Sequence, residues 1–441
     1  MAEPQILTLF PRFSRLGIIR TLEQLVIENG SPTKVRFGQV PLYLAADPDS
    51  VQQVLRDKVK NYIKPDLYYS AAKITLGQGL ITSAGDLHLQ QKRLVQPHLH
   101  RNALINITQT MVDTIDTMLT DWEQLVGQSV DAGDLMAQLS MALITNTLFG
   151  TDILTTKERD DIAQAVKVIV DYTATRGYLL FYPQSLPIPG EKRFKQAYQV
   201  VHDAVSKVIA VHRKRDDNQE NLLGMLLHAV DEETNARMGE QQLFDEVMTI
   251  FLAGYESTST ALTWLWYLLS ENPEQYRALQ DEIDTVLQGN HPSFENYRSL
   301  ELCRMNFFES LRLYPPSPFV PREAVEADTL GEHQVDAGNF VFVFFYGVHR
   351  NPDVWDKPTV FDPLRFTPER EKERSRFAFV PFSAGLRQCV GNDFAIMEAV
   401  LIISMLLQRY HITVPKGQTV VPRVRATLHP ANGLQIILQQ H

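Results

Sequence analysis

Apolar residues recur at three-and-four spacing through residues 104–125, 158–175, 193–214 and 241–270, each stretch bounded by Pro, Gly or Asp/Asn clusters. That spacing gives an α-helix one buried stripe, so four amphipathic helices are expected. Between Val35 and Ala45 (VRFGQVPLYLA) the pattern changes to β-branched and aromatic residues around a Gly and a Pro, which predicts a small hairpin. Strand signal returns only late, in Asn339 to Tyr346 (NFVFVFFY) and in two short pieces at 411–414 and 434–438. The connections at 182–190 and 350–366 are dense in turn formers, and no repeat, low-complexity tract or flexible linker breaks the chain. One mainly α domain with small β-sheets, spanning residues 1–441, is the organisation this pattern predicts.

Composition narrows the classes. With 44% hydrophobic and 21% charged residues the chain can bury a core. A net charge of -10 lacks the basic footprint of a nucleic-acid binder. The first ten residues lack a basic segment followed by a long apolar run, so no secretory signal is expected. The longest apolar runs, Leu262 to Leu269 and Ala399 to Leu407, fall short of the ~20 residues of a membrane span. Two cysteines, Cys303 and Cys389, are too few for a disulfide framework, which predicts a cytoplasmic, reducing compartment and no membrane anchor.

The second cysteine carries the chemistry. Phe382-Ser-Ala-Gly385-Leu-Arg387-Gln-Cys389-Val-Gly391 leads into Asn392 to Arg409, whose apolar period predicts a helix starting just past the cysteine. A thiol there faces helix N–H groups and the positive helix end, which favour the thiolate. Gly385 and Gly391 are expected to let the backbone pass close to a flat cofactor. A lone cysteine is more often a buried packing residue, and Cys303, in Leu-Glu-Leu-Cys-Arg-Met, is read that way. Around Cys389, however, the pattern F-x-x-G-x-R-x-C-x-G would arise by chance in such a chain on the order of once in ten thousand.

This loop closely resembles the haem-binding loop of the cytochrome P-450 family, whose cysteine is the proximal iron ligand. The resemblance implies haem b (iron protoporphyrin IX) bound by Cys389, with Arg387 on a propionate and Phe382 packed on the proximal side. It also implies the fold: haem between a long distal helix and the helix after the cysteine loop. Within 241–270, Ala253-Gly254-Tyr255-Glu256-Ser257-Thr258 breaks a strong helical pattern with a Gly that costs ~1 kcal/mol against Ala. Taken alone, Gly254 reads equally well as a close helix contact. The segment resembles the family's A/G-G-x-D/E-T-T/S, which implies a distal groove bordered by Ala253 and proton delivery by Glu256 and Ser257. Ser257 stands where threonine is usual, with Thr258 as the neighbouring reserve.

Glu309 and Arg312, three apart on a helix ending at Tyr314-Pro315-Pro316, resemble the family's E-x-x-R pair, which implies Arg365 as third member of a folding triad. Gly85 to Pro97 resembles the family's W-or-H-x-x-x-R-R helix. That likeness implies that His88 and Lys92 clamp a propionate, Lys92 standing where arginine is commoner, and Arg322 matches another propionate position. His349 reads as structural. The resemblance runs from about residue 35 to 438.

Its implied reaction is monooxygenation: O2 and two electrons convert a C–H bond to C–OH. No flavin or iron–sulfur motif accompanies it, so electrons are expected from a separate ferredoxin or flavodoxin with its reductase. Arg93, Lys372, Arg374 and Arg376 are candidates for the docking face. Pocket segments by analogy (64–84, 172–189, 316–321, the distal helix and the tip near Leu428) offer Tyr68, Tyr69, Ile74, Tyr178, Phe181, Phe319 and Val320. Such a lining suits a hydrophobic small molecule: a fatty acid, terpenoid or polyketide. Lys73 and Arg176 are the available carboxylate anchors. Two other readings stay open, a haem-thiolate isomerase or oxidative-coupling enzyme, and a non-catalytic haem carrier or sensor.

Overall fold

The computed structural model describes Gln5, residues 9–150, 153–179, Tyr182 and residues 186–215 and 221–441. It divides into two compact units. The first comprises Met1–Tyr68, Met305–Cys389 and Thr419–Gly433; the second comprises Tyr69–Arg304, Val390–Gln418 and Leu434–His441.

The first unit is built on a five-stranded sheet. Thr33–Phe37 and Val40–Ala45 form the expected antiparallel hairpin, Thr33 opposite Leu44 and Phe37 opposite Val40. Val40–Ala45 runs parallel to Phe340–Val343, which pairs antiparallel with Val320–Ala324, and Tyr62–Ile63 closes the edge. Alternation along Phe340–Val343 sends Val341 and Val343 into a core with Tyr43, Ala45, Val54 and Tyr62. The strand expected to continue to Tyr346 stops at Val343, and Phe345–Val348 forms one helical turn. Tertiary packing overrides local β-propensity here. Gly347 permits the turn, since a Cβ on it would lie 2.4 Å from the Phe344 ring.

The same unit holds the charged triad. Glu309 and Arg312 lie on the helix Glu301–Leu313 and are wholly buried. Arg312 Nε donates to Glu309 Oε2 at 2.6 Å and Nη2 to Oε1 at 2.7 Å. Its remaining N–H groups reach the carbonyls of His349 at 2.9 Å, Pro358 at 2.6 Å and Val360 at 3.1 Å. Arg365 Nε lies 3.4 Å from Glu309 Oε1, as the third member. The guanidinium of Arg312 also lies 5.0 Å from the Trp355 ring centre, a cation–π contact.

The second unit is mainly helical. The four expected helices are present as Ile105–Asp121, Thr156–Tyr178, Glu191–Arg215 and Glu240–Glu271. A capping box between Thr155 and Glu158 starts the second of these. Asn392–Arg409 begins just after the cysteine, as its pattern predicts. Ala132–Phe149 was not distinguishable by periodicity, because most of its faces are buried and carry apolar residues. It packs against the long helix Glu240–Glu271, where Trp266 Nε1 donates to Met136 Sδ at 3.2 Å. The late strands Tyr410–Thr413 and Gln435–Gln440 pair antiparallel, and Ser129–Asp131 adds the other edge. Among the described residues no helix is long and apolar enough to cross a membrane.

Breaking a buried ion pair leaves the surviving charge desolvated and alone. Glu309→Ala or Arg312→Ala is therefore expected to lower the unfolding free energy by about 3–5 kcal/mol, measured by chemical denaturation of the holoprotein. A loss below about 1 kcal/mol, the range of exposed pairs, would show that the triad does not hold the fold.

Candidate active site

In the first unit the cysteine loop is closed by its own backbone. Cys389 N–H donates to the Phe382 carbonyl at 2.9 Å, and Gln388 N–H to that of Gly385 at 3.2 Å. Cys389 is exposed and outside any disulfide, whereas Cys303 is buried. Burial first, then the nearby Glu282, pushes the Cys303 thiol well up, so it stays protonated packing as expected. Gly385 is required by the chain itself. Its φ is +65°, and a Cβ would sit 2.2 Å from the Leu55 carbonyl oxygen, so a close backbone approach by itself demands glycine here. Gly391 has no such neighbour: a Cβ there meets nothing within 4 Å. The loop is tied to the triad through His349, whose Nε2 accepts the Val380 N–H at 3.0 Å. Burial, then Arg312, holds that imidazole down to about 3, so it remains a neutral acceptor.

Three cations gather beside this loop. Arg322, on Val320–Ala324, is buried, and its Nη1 donates to its neighbour's carbonyl at Pro321. Arg387 ends the short turn Gly385–Arg387. The third is Lys64, which sequence reasoning missed as a site residue. Burial, then Arg387, then Arg322 pushes its ammonium down to about 6. Like charges converging on a partly desolvated position need an anion of matching charge, and a pair of carboxylates such as haem propionates fits that donor set. Nothing in the local sequence distinguishes Lys64, because its neighbours in space are far away in the chain.

In the second unit, His88 and Lys92 lie one turn apart on Gly85–Leu99, His88 buried and Lys92 half-buried. On Glu240–Glu271, Ala253 is exposed and Ser257 half-exposed, one turn apart on one face as expected. Ser257 Oγ donates to the Ala253 carbonyl at 2.9 Å, the back-bond typical of a hydroxyl inside a helix. Thr258 instead is buried toward Glu398 on Asn392–Arg409, so its hydroxyl is turned from the face that Ser257 shares with Ala253. Gly254 serves packing in this unit: a Cβ on it would press within 3.0 Å of Ile144 Cδ1.

Other expected positions divide. Arg93 is locked to the buried Asp231, Nε to Oδ1 at 3.0 Å and Nη2 to Oδ2 at 2.7 Å. Arg374 stacks 4.3 Å from the Trp355 ring centre and donates to the Arg365 carbonyl at 2.9 Å. Both are also engaged in structure, whereas Lys372 and Arg376 are exposed. Arg176 is buried and bonds the Leu186 carbonyl at 2.8 Å, so it braces its own loop. In the first unit Tyr68 and Phe319 both pack on Phe342, at 6.3 Å and 5.4 Å between ring centres. Tyr69, Ile74 and Val320 are partly or largely exposed within their own units. The Tyr178 side chain and Phe181 lie outside the described residues.

The sequence profile of the Cytochrome P450 family matches residues 11–438. Cyclooctatin synthase of Streptomyces melanosporofaciens is 32% identical over 91% of this chain and 87% of its own length. Cyclooctat-9-en-7-ol 5-monooxygenase of the same organism is 32% identical over 89% of this chain and 84% of its own. Pentalenene oxygenase of Streptomyces avermitilis is 31% identical over 93% and 90%. The crystal structure of the cytochrome P450DA haem domain shares the fold, with a TM-score of 0.87 at 23% identity, covering 96% of this chain and 93% of that one. An exposed thiol in a closed loop before a helix and a cation cluster suited to carboxylates agree with these likenesses: the chain belongs to the cytochrome P450 family and is a haem-thiolate monooxygenase.

Proposed function

We propose that the protein hydroxylates an apolar, terpenoid-like small molecule, with electrons from a separate ferredoxin or flavodoxin and its reductase. The substrate class is supported by the names of relatives at about one-third identity, which act on cyclooctat-9-en-7-ol and pentalenene. Aromatic and aliphatic residues at Tyr68, Tyr69, Ile74, Phe319 and Val320 agree with an apolar ligand. The observation that carries the reading is Cys389, an exposed thiol at the head of Asn392–Arg409 beside the Arg387 cation.

Haem supplies oxygen activation at an iron whose thiolate ligand favours O–O cleavage. The chain's own groups do the rest. Cys389 would hold the iron as a thiolate, stabilised by helix N–H groups. Phe382 would pack on the proximal side, and Gly391 would leave clearance there. Lys64, Arg322 and Arg387 would neutralise propionate charge, joined by His88 and Lys92. On this reading Glu256 and Ser257 would act at the same haem. Glu256 would take up protons, and Ser257 would pass them on by giving up its bond to the Ala253 carbonyl. The short Ala253 side chain leaves room for substrate. Retention of an acid and an alcohol favours monooxygenation over isomerisation or haem carriage, neither of which needs a proton relay.

Four outcomes are expected. The reduced holoprotein with carbon monoxide should give the red-shifted Soret band of a thiolate ligand, and Cys389→Ala should abolish it; an unchanged band in that variant would sink the assignment. Ser257→Ala should lower product formed per electron consumed by about a hundredfold, with substrate-binding difference spectra intact. Equal product yield would remove Ser257 from the relay. In a ligand panel, polycyclic terpenes should displace iron-bound water at lower concentration than fatty acids or macrolides, and a response to small polar ligands alone would overturn the substrate class. For the propionate role, Lys64→Met should speed haem transfer to excess apomyoglobin by about tenfold, the weight of one charge-assisted hydrogen bond. Transfer at the parent rate would leave Lys64 without that role.

A further inference from the structure

Two acids near the start of the long helix take no part in the proposed chemistry. Asp245 and Glu246 lie on Glu240–Glu271 in the second unit, 6% and 0% exposed. Both carboxylates face the connection 77–84 of the same unit, which leads into the helix Gly85–Leu99. Asp245 Oδ2 accepts the Gln78 N–H at 2.8 Å, and Glu246 Oε2 accepts the Leu80 N–H at 3.1 Å. The Gln241 amide donates to Asp245 Oδ1 at 2.8 Å and steadies that carboxylate. The connection lies flat on the helix because glycines stand at the points of contact. A Cβ on Gly77, whose φ is +52°, would sit 2.4 Å from Asp245 Oδ2, and one on Gly79 would sit 2.0 Å from Thr249 Oγ1. Buried backbone donors need acceptors, and that need accounts for one bond per amide. It leaves open what grips the other side of Gln78.

The Gln78 carbonyl accepts Gln91 Nε2 at 2.6 Å. Gln91 is on Gly85–Leu99, fully buried, and its Oε1 has no partner, so this one bond fixes how its amide lies. The two backbone groups of a single residue therefore tie two helices together, the N–H to Asp245 and the carbonyl to Gln91. Residues three and four apart are neighbours on a helix surface, so positions 88, 91 and 92 belong to one turn of Gly85–Leu99. A bond at Gln91 thus sets the rotation at which His88 and Lys92 are presented. We infer that Asp245 and Gln91 are positioning residues for the haem clamp: through Gln78 they hold the turn carrying His88 and Lys92 in register with the long helix, an assignment that rests on reading those two as propionate ligands.

The test mixes haem-loaded full-length protein with excess apomyoglobin and follows the rate of haem transfer. The carbon monoxide spectrum of each variant reports the integrity of the thiolate site. Asp245→Leu should speed transfer by about tenfold, the weight of one hydrogen bond to a charged group, and Gln91→Leu by about fivefold, that of a neutral one. Asp245→Asn keeps an acceptor for the Gln78 N–H and should return to within about twofold of the parent. Because both side chains act through Gln78, the double variant Asp245→Leu/Gln91→Leu should stay at about tenfold, whereas independent packing losses would multiply to about fiftyfold. A Lys92→Met background should cut the Asp245→Leu effect to about threefold, since part of the clamp is already gone. Multiplying effects in the double variant, or an undiminished Asp245→Leu effect beside Lys92→Met, would overturn the inference by showing general loosening. Should Asp245→Leu take up no haem, Asp245→Ser, whose side chain is too short to reach Gln78, takes its place. Lys92→Met alone separates the two ideas: transfer at the parent rate there refutes the clamp, whereas faster transfer with a multiplying cycle refutes only the link through Gln78.

Discussion

The first unit depends on a carboxylate and two guanidiniums held away from water. Buried ion pairs are a poor source of stability, because desolvation offsets their attraction unless every polar atom is satisfied. Arg312 meets that condition. Its five N–H donors go to both Glu309 oxygens and to the carbonyls of His349, Pro358 and Val360. Three of these acceptors lie in the segment leading to the cysteine loop, so one side chain orders a stretch that has little regular structure of its own. From His349 the connection continues to Val380, whose carbonyl accepts from Ser383 N–H, and Phe382 then closes on Cys389. The thiol is thus referenced to a rigid charged centre by backbone hydrogen bonds.

The two units treat buried charge in opposite ways. In the first, Lys64, Arg322 and Arg387 are brought together although they repel. On the proposed reading an anionic cofactor joining them would relieve that repulsion, and its binding and folding would then favour each other. In the second, Glu398 has no cation and keeps its proton instead. Stability carried by such an acid is full below its ordinary range near 4.5 and falls as pH rises toward about 8, because the folded state holds a proton that the unfolded chain releases. A cation cluster fits an anionic cofactor, whereas a neutral acid fits a role inside the protein.

Much of this was legible in the sequence because it is local. The loop Phe382 to Gly391 places five specified residue types within one turn and a helix start, and Glu309 and Arg312 share a helical face at i, i+3. The amphipathic helices announced themselves by period, within a few residues at each end. Ala132–Phe149 did not, since a helix buried on most sides shows no polar contrast. Nor did Lys64, whose surroundings come only from residues distant in sequence. The partners of Arg93 and Arg374 were hidden for the same reason: a surface-type residue reads as free charge until Asp231 or Trp355 is seen beside it.

Two departures from the family pattern bear on how firmly the chemistry is held. Lys92 in place of arginine keeps a charge but gives up the planar fork that fixes a carboxylate in two places. Ser257 in place of threonine keeps a hydroxyl but loses the methyl that restricts its rotamer. Both changes weaken local geometric control of groups assigned to the haem.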